Sequence, residues 1–411
     1  MVVEENLSRK PSTCRVSLPF IFLILTLTCL NSLPVNAEAS SSNPVKIRVD
    51  RLVQIEIDGA VVITDIVKLS LNGNTNVEPL SNLVIGLPRA YQGDLFHYFA
   101  YNAVSRLHVT PNLDMDGFYG VEVQFRESID LAKTGSYNFT VVYVLTGLVS
   151  LDGEEYNVSF PLYPVLEKEV SFYNVTVILP PRTLYVNSSS YFDNATITMP
   201  QYSYMVLNRT ESNVKPFTNQ TSWITFAHSG YPQEFFPIEL NQVVREITLD
   251  PWGNLIVSDF YQITNKGESL STITLYIPRN ATEISAQDVY GSIGVSVKDE
   301  VAAYKGVSVS LREALANDKK VKLTLNYMLP YGMYTKQNSI EDYTLTLDFL
   351  NFIHYIARKL IVKVILPEGA DYQGKIHEYD NVTKFHDLNF NLNYQYNIFW
   401  ASFRPVSWVG I

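Results

Sequence analysis

Residues 243–278, VVREITLDPWGNLIVSDFYQITNKGESLSTITLYIP, decide the fold. They read as two strands joined at Asp250-Pro251-Trp252-Gly253-Asn254, a polar turn at Asn265-Lys266-Gly267, and a third strand closing on Ile277-Pro278. Strand-favouring residues alternate with polar ones, and each run stops at residues that favour turns. A looser copy of the same syntax occupies residues 51–74, RLVQIEIDGAVVITDIVKLSLNGN, and closes with LVIGLP at 83–88. The chain therefore uses one design twice.

The copy extends beyond this stretch. YNFTVVY at 137–143 answers VKLTLNY at 321–327, VSFP at 158–161 answers LTLD at 345–348, and NVTVILP at 174–180 answers IVKVILP at 361–367. Strand endings at Pro88, Pro180, Pro278 and Pro367 recur in the same order, about 190 residues apart, and a period this long means tandem domains and not a solenoid. The expected fold is all-β: a β-sandwich module at 45–215, a linker at 216–237 carrying Pro216, Pro232 and Pro237, and a second module at 238–411. Helix is expected only in brief pieces, at 311–315 and 351–357.

Arg9, Lys10 and Arg15 precede an apolar run at 16–30, and Val35-Asn36-Ala37 supplies a small-residue cleavage site. This is the pattern of an export signal at residues 1–37 cut after Ala37; kept uncut, the same run would serve as a signal anchor. Both readings place the rest of the chain outside the cytoplasm, in the ER lumen or at the cell exterior, either membrane-associated or secreted. Cys14 and Cys29 both lie in the leader, so the exported part has no thiol for disulfides, nucleophilic catalysis or a Cys-based metal site. The net charge of −10 is spread along the chain, which excludes the basic stripe that nucleic-acid binding requires.

No nucleophile elbow, zincin helix, phosphate-cradling loop or dinucleotide fingerprint occurs, and Gly291-Ser292-Ile293-Gly294 misses the esterase spacing. His97, His108, His228, His354, His377 and His386 are scattered without helical pairing, which points to no metal, no cofactor and no enzyme. Asn112-Leu113-Asp114-Met115-Asp116-Gly117 resembles the first half of a calcium loop, and Asp114 and Asp116 form an acid-x-acid pair. Yet Glu122 falls one residue short of the closing ligand position, and Asp116-Gly117 between two strands reads more simply as a hairpin turn.

Nine N-x-S/T sequons come after the leader, at Asn138, Asn157, Asn174, Asn187, Asn194, Asn208, Asn219, Asn280 and Asn381. Seven of them fall between 138 and 219, so that flank of module one is expected to carry glycans and not to dock partners. Strand alternation turns Asn138 and Asn157 outward.

Further landmarks lie in the second module. Val243 to Ile247 (VVREI) leads to Trp252-Gly253-Asn254, and Ala286-Gln287-Asp288-Val289-Tyr290 is followed by Ile293-Gly294. Tyr327 to Pro330 (YMLP) continues to LIVKVILPEGA at 360–370. In this order and spacing, over 240–370, the chain resembles ribophorin I, a non-catalytic subunit of oligosaccharyltransferase, whereas module one matches only in outline. The resemblance implies a β-rich extracytoplasmic accessory subunit supporting protein N-glycosylation. Its partners would be a membrane-embedded catalytic subunit and an acceptor polypeptide, at a membrane surface. The family continues into a transmembrane helix, whereas the apolar stretch at 349–366 is interrupted by His354, Arg358, Lys359 and Lys363. Tethering is thus expected from the leader or from sequence past Ile411. Gln287, Asp288 and Tyr290 are the candidate partner contacts. Trp252 reads more readily as a core plug than as a binding residue. The rival expectation is a secreted or cell-surface β-sandwich protein with an adhesive or envelope role.

Overall fold

The computed structural model describes residues 44–73, 77–115, 117–198, 203–228, 235–250, 254–301, 303–338, 342–348, 355, 357–367, 370–372, 389–396 and 406–410. The leader with both cysteines, Pro251, Trp252, Gly253, Asp116, His354, His377, His386 and Asn381 lie outside these residues, as does most of the 351–357 helix candidate.

The stretch at 243–278 folds as its alternation predicts. Ile238–Leu249 pairs antiparallel with Asn254–Asn265, from Val243 opposite Tyr261 to Leu249 opposite Leu255. Asp250 closes the turn: its carboxylate accepts the Asn254 backbone N–H and the Asn254 side-chain amide, each at 2.7 Å. Leu270–Pro278 comes next, but pairs with Tyr304–Leu315 in a separate three-stranded sheet. The two sheets are held face to face because each buries one alternating set. Val243, Ile247 and Tyr261 share a core with Ile273, Leu275, Ile277, Val307 and Val309.

The duplication is structural as well as sequential. In module two, Ile238–Leu249 lies between antiparallel Asn254–Asn265 and parallel Leu360–Leu366, with Lys320–Pro330 next in line. In module one, Val45–Ile55 lies between antiparallel Val61–Leu71 and parallel Val170–Ile178, with Ser136–Leu145 next. Register matches too: Ile63 faces Tyr143 where Val257 faces Tyr327, and Arg51 faces Val175 where Arg245 faces Val362. Glu155–Pro161 and Asp342–Asp348, the third matched pair, each sit in a four-stranded sheet. The modules differ in one joint. In module one, Leu95–Tyr101 pairs with Arg106–Met115 and merges two sheets into one of eleven strands, whereas module two keeps sheets of seven and three.

Each core holds the same buried ion pair. The Arg51 guanidinium donates to Asp65 through Nε and Nη2, both at 2.6 Å, and through Nη1 to the Pro161 carbonyl at 2.7 Å. Arg245 donates to Asp259 through Nε and Nη2 at 2.8 Å. Burial by itself would push each arginine pKa down, but the adjoining aspartate outweighs it, and both are held above the ordinary arginine value. The surrounding phenols of Tyr143, Tyr173 and Tyr261 are raised well above theirs, first by burial. Such a pair adds little net stability, since desolvation offsets most of the attraction.

Two expectations need correction. Thr221–His228 is an inner strand of the four-stranded sheet of module one, between Thr183–Ser188 and Glu155–Pro161, so 216–237 is not all linker. The helix expected at 311–315 is the end of the strand Tyr304–Leu315: Ser310 pairs with Thr272 and Leu315 with Leu270, with a register shift between them, so the local helix preference is overridden.

The short segment 235–238 is spliced into both modules. Phe235 packs edge-on against Tyr156 at 4.7 Å between ring centroids. The Phe236 and Ile238 N–H groups donate to Ile57 and Asp58 of module one, while the Pro237 carbonyl accepts Lys266 N–H of module two. Pro237 fits only because its neighbours are glycines: a Cβ on Gly59 or Gly267 would lie 2.8 or 2.7 Å from its ring carbons.

Candidate docking site

Thr282–Asp288 and Gly291–Ile293 form a hairpin at the edge of the seven-stranded sheet, with Asp288 opposite Gly291. Val289 and Tyr290 are therefore its two-residue tip. Gly291, at φ +126°, takes the conformation that side chains resist, which leaves both tip residues with ordinary backbone angles.

The tip is apolar, exposed and braced. Val289 is 71% and Tyr290 82% exposed. Asp288 accepts the Tyr290 N–H at 2.8 Å, and Arg312 reaches it from the other sheet through Nε at 2.9 Å and Nη2 at 3.0 Å. Arg312 also donates to the Ser292 carbonyl at 3.4 Å, and its guanidinium carbon lies 5.9 Å from the Tyr290 ring centre. These Arg312 hydrogen bonds, with backbone N–H bonds from Tyr290 and Gly291, hold the Asp288 carboxyl below the usual carboxylate range. A rigid tip loses little conformational freedom when something covers it.

The structure brings the expected contacts Gln287, Asp288 and Tyr290 together on this hairpin, with Gln287 exposed. Sequence reading missed Arg312, because the pairing that brings it over Asp288 crosses between sheets 24 residues apart. It also passed over Val289, although the residue stood inside the quoted segment. Among the sequons, Asn138, Asn187, Asn194 and Asn219 are exposed, and Asn157, Asn208 and Asn280 half-buried. Asn280 accepts the Tyr334 hydroxyl at 2.7 Å, and Asn208 accepts the Thr176 hydroxyl at 2.8 Å. Asn174 is 7% exposed, in the middle of the strand Val170–Ile178. Gly117, at φ +81°, joins Arg106–Met115 to Phe118–Ile129 as the hairpin reading expects; the side chains at 112–116 are not among those described. Among the described residues, no group of three or more His, Cys, Asp or Glu is placed to hold a metal, and no helix is long and apolar enough to cross a membrane.

No family model matches the sequence, and no curated protein matches it. Among solved structures, an M1 zinc metallopeptidase from Deinococcus radiodurans is similar at 12% identity and a TM-score of 0.28, over 50% of this chain and 48% of that one. An aminopeptidase N family protein from Idiomarina loihiensis is similar at 10% identity and a TM-score of 0.26, over 44% of this chain and 29% of that one. The N-terminal domain of a Streptococcus gordonii adhesin gives 5% identity and a TM-score of 0.19, over 71% and 58%. The chain spans less than half the length of either peptidase structure. Likenesses at this level bear on no activity, substrate or partner.

Proposed function

We propose that the chain is a non-catalytic, extracytoplasmic subunit of the ribophorin I kind, working beside a membrane-embedded oligosaccharyltransferase to support protein N-glycosylation. The observation that carries this reading is the braced tip. Val289 and Tyr290 stand out from a duplicated all-β body, on a hairpin cross-linked by Arg312 to the second sheet. That hairpin lies within the segment 286–294, which supplies one of the ribophorin-like landmarks. A membrane catalytic subunit or an extended acceptor polypeptide is the partner such a surface suits, through an aromatic anchor entering a complementary pocket.

Affinity capture of the tagged chain from detergent-solubilised membranes of its native host tests the reading. Oligosaccharyltransferase components are expected in the eluate, and Tyr290→Ser with Val289→Ser is expected to remove them while the far-ultraviolet spectrum and melting temperature hold. An eluate without any such component from the unmodified chain would count decisively against it.

A further inference from the structure

The four-stranded sheet of module one has an inner face in the core, made of Tyr156, Val158, Phe160, Ile224 and Phe226. Its outer face carries both asparagines and large apolar side chains. Strand register sets Asn187 opposite Thr225, and Thr225 opposite Asn157, so two sequon asparagines stand in one row with a single threonine between them. On one side of this row lies Trp223, opposite Ser159; on the other lies Leu184, opposite Ala227. Trp223, Leu184 and Val186 are 37%, 54% and 44% exposed. Large apolar side chains exposed on one face of an exported protein favour association unless something covers them.

We propose that N-linked glycans on Asn157 and Asn187 converge over Trp223 and form the outer layer of this sheet. Trp223 is the diagonal neighbour of Asn157 on the pairing strand, a separation of about 7–8 Å. Asn187 approaches from the opposite side, where the Ser189 N–H donates to the Trp223 carbonyl and the Trp223 N–H donates to the Ser189 hydroxyl, each at 3.0 Å. The sugar next to each asparagine presents an apolar face of ring C–H groups, which suits the face of an indole. The donor would be a polyprenyl-diphosphate-linked oligosaccharide. The asparagine amide nitrogen bonds to the anomeric carbon and gives up one proton, while the anomeric C–O bond breaks and the lipid diphosphate leaves with the electron pair. The occupant is thus tethered in the row beside the surface it covers, which raises its effective concentration there without any partner. This inference goes beyond the docking role and needs only export, so loss of partner capture leaves it standing.

The test uses the full chain, secreted with its own leader from a host that N-glycosylates. Glycopeptide mass spectrometry reads occupancy at Asn157 and Asn187, and hydroxyl-radical footprinting reads the accessibility of Trp223. Both sites are expected to be occupied, with Trp223 oxidised severalfold more slowly than in the Asn157→Gln, Asn187→Gln double variant and Tyr290 oxidised at an unchanged rate. Wild-type protein enzymatically stripped of glycan after folding is the second comparator, so misfolding of the variant leaves the measurement intact. An unmodified asparagine at either position, or equal Trp223 oxidation with and without glycan, overturns the proposal.

Discussion

Tyr143 and Tyr327 occupy equivalent places beside the two buried ion pairs but are not equivalent chemically. The Tyr327 hydroxyl donates to Asp259 at 2.9 Å, whereas the Tyr143 hydroxyl has no hydrogen-bond partner among the described residues. Tyr327→Phe is therefore expected to cost about 1.5–3 kcal/mol, the range for a hydrogen bond to a charged group, and Tyr143→Phe to be neutral or stabilising. Denaturant unfolding of the two variants checks the asymmetry. Asp94 offers a second residue-level test. Burial raises its pKa, Arg358 lowers it in part and Glu239 raises it further. With the folded-state value above the unfolded one, ionised Asp94 weakens the fold near neutral pH, and the penalty fades as pH falls through the folded pKa. Asp94→Asn is expected to raise the melting temperature near neutrality and to change nothing below the ordinary carboxylate range; thermal melts across pH read both limbs. At this scale the sequence was only half legible. Arg51 and Asp65 lie 14 residues apart, as do Arg245 and Asp259, inside the very stretches that revealed the duplication. A charged residue inside an alternating strand declares no partner until the register of the neighbouring strand is known.

Among the elements, the tip hairpin depends on a brace from outside itself. Removing that brace with Arg312→Ala is expected to leave global stability within about 0.5 kcal/mol, as for most exposed substitutions, while raising amide exchange at Tyr290 and Gly291. Unchanged exchange there would mean that the tip holds its shape without Arg312. Strands were the most readable elements: the turn at Asp250 and the three runs around it came directly from alternation and turn chemistry. The segment at 311–315 misled for the opposite reason. Leu, Arg, Glu and Ala favour a helix locally, but pairing with Leu270–Pro278 pins both ends of the segment, at Ser310 and at the buried Leu315. Propensity lost to a partner that is remote in sequence.

For the molecule as a whole, two modules were legible because both obey one order of landmarks, but their joint was not. Three prolines suggested a linker, whereas Pro237 is gripped between Gly59 and Gly267, and the Tyr156 hydroxyl accepts the Glu268 N–H at 3.3 Å. Gly267→Ala places a methyl carbon 2.7 Å from Pro237 and 3.0 Å from the Tyr156 oxygen, and is expected to cost about 1–3 kcal/mol by overpacking. Calorimetry is expected to show one transition for the unmodified chain and two for the variant; a single unshifted transition would mean that the joint tolerates the group.

If the chain is exported as proposed, the parallel pairing of Val45–Ile55 with Val170–Ile178 has a consequence for its synthesis. The central strand of module one waits for a partner translated more than a hundred residues later, so its sheet stays open while the intervening sequons emerge. Asn174 lies on that late strand, opposite Asp50 on one side and Thr210 on the other. In an exported chain, closure and glycan transfer would then compete for the same few residues of nascent chain. A glycan attached there would wedge the sheet apart, so secreted, folded molecules should carry an unmodified Asn174, while chains modified at it should be retained and degraded. Site-resolved occupancy in the secreted and retained pools would record which event comes first.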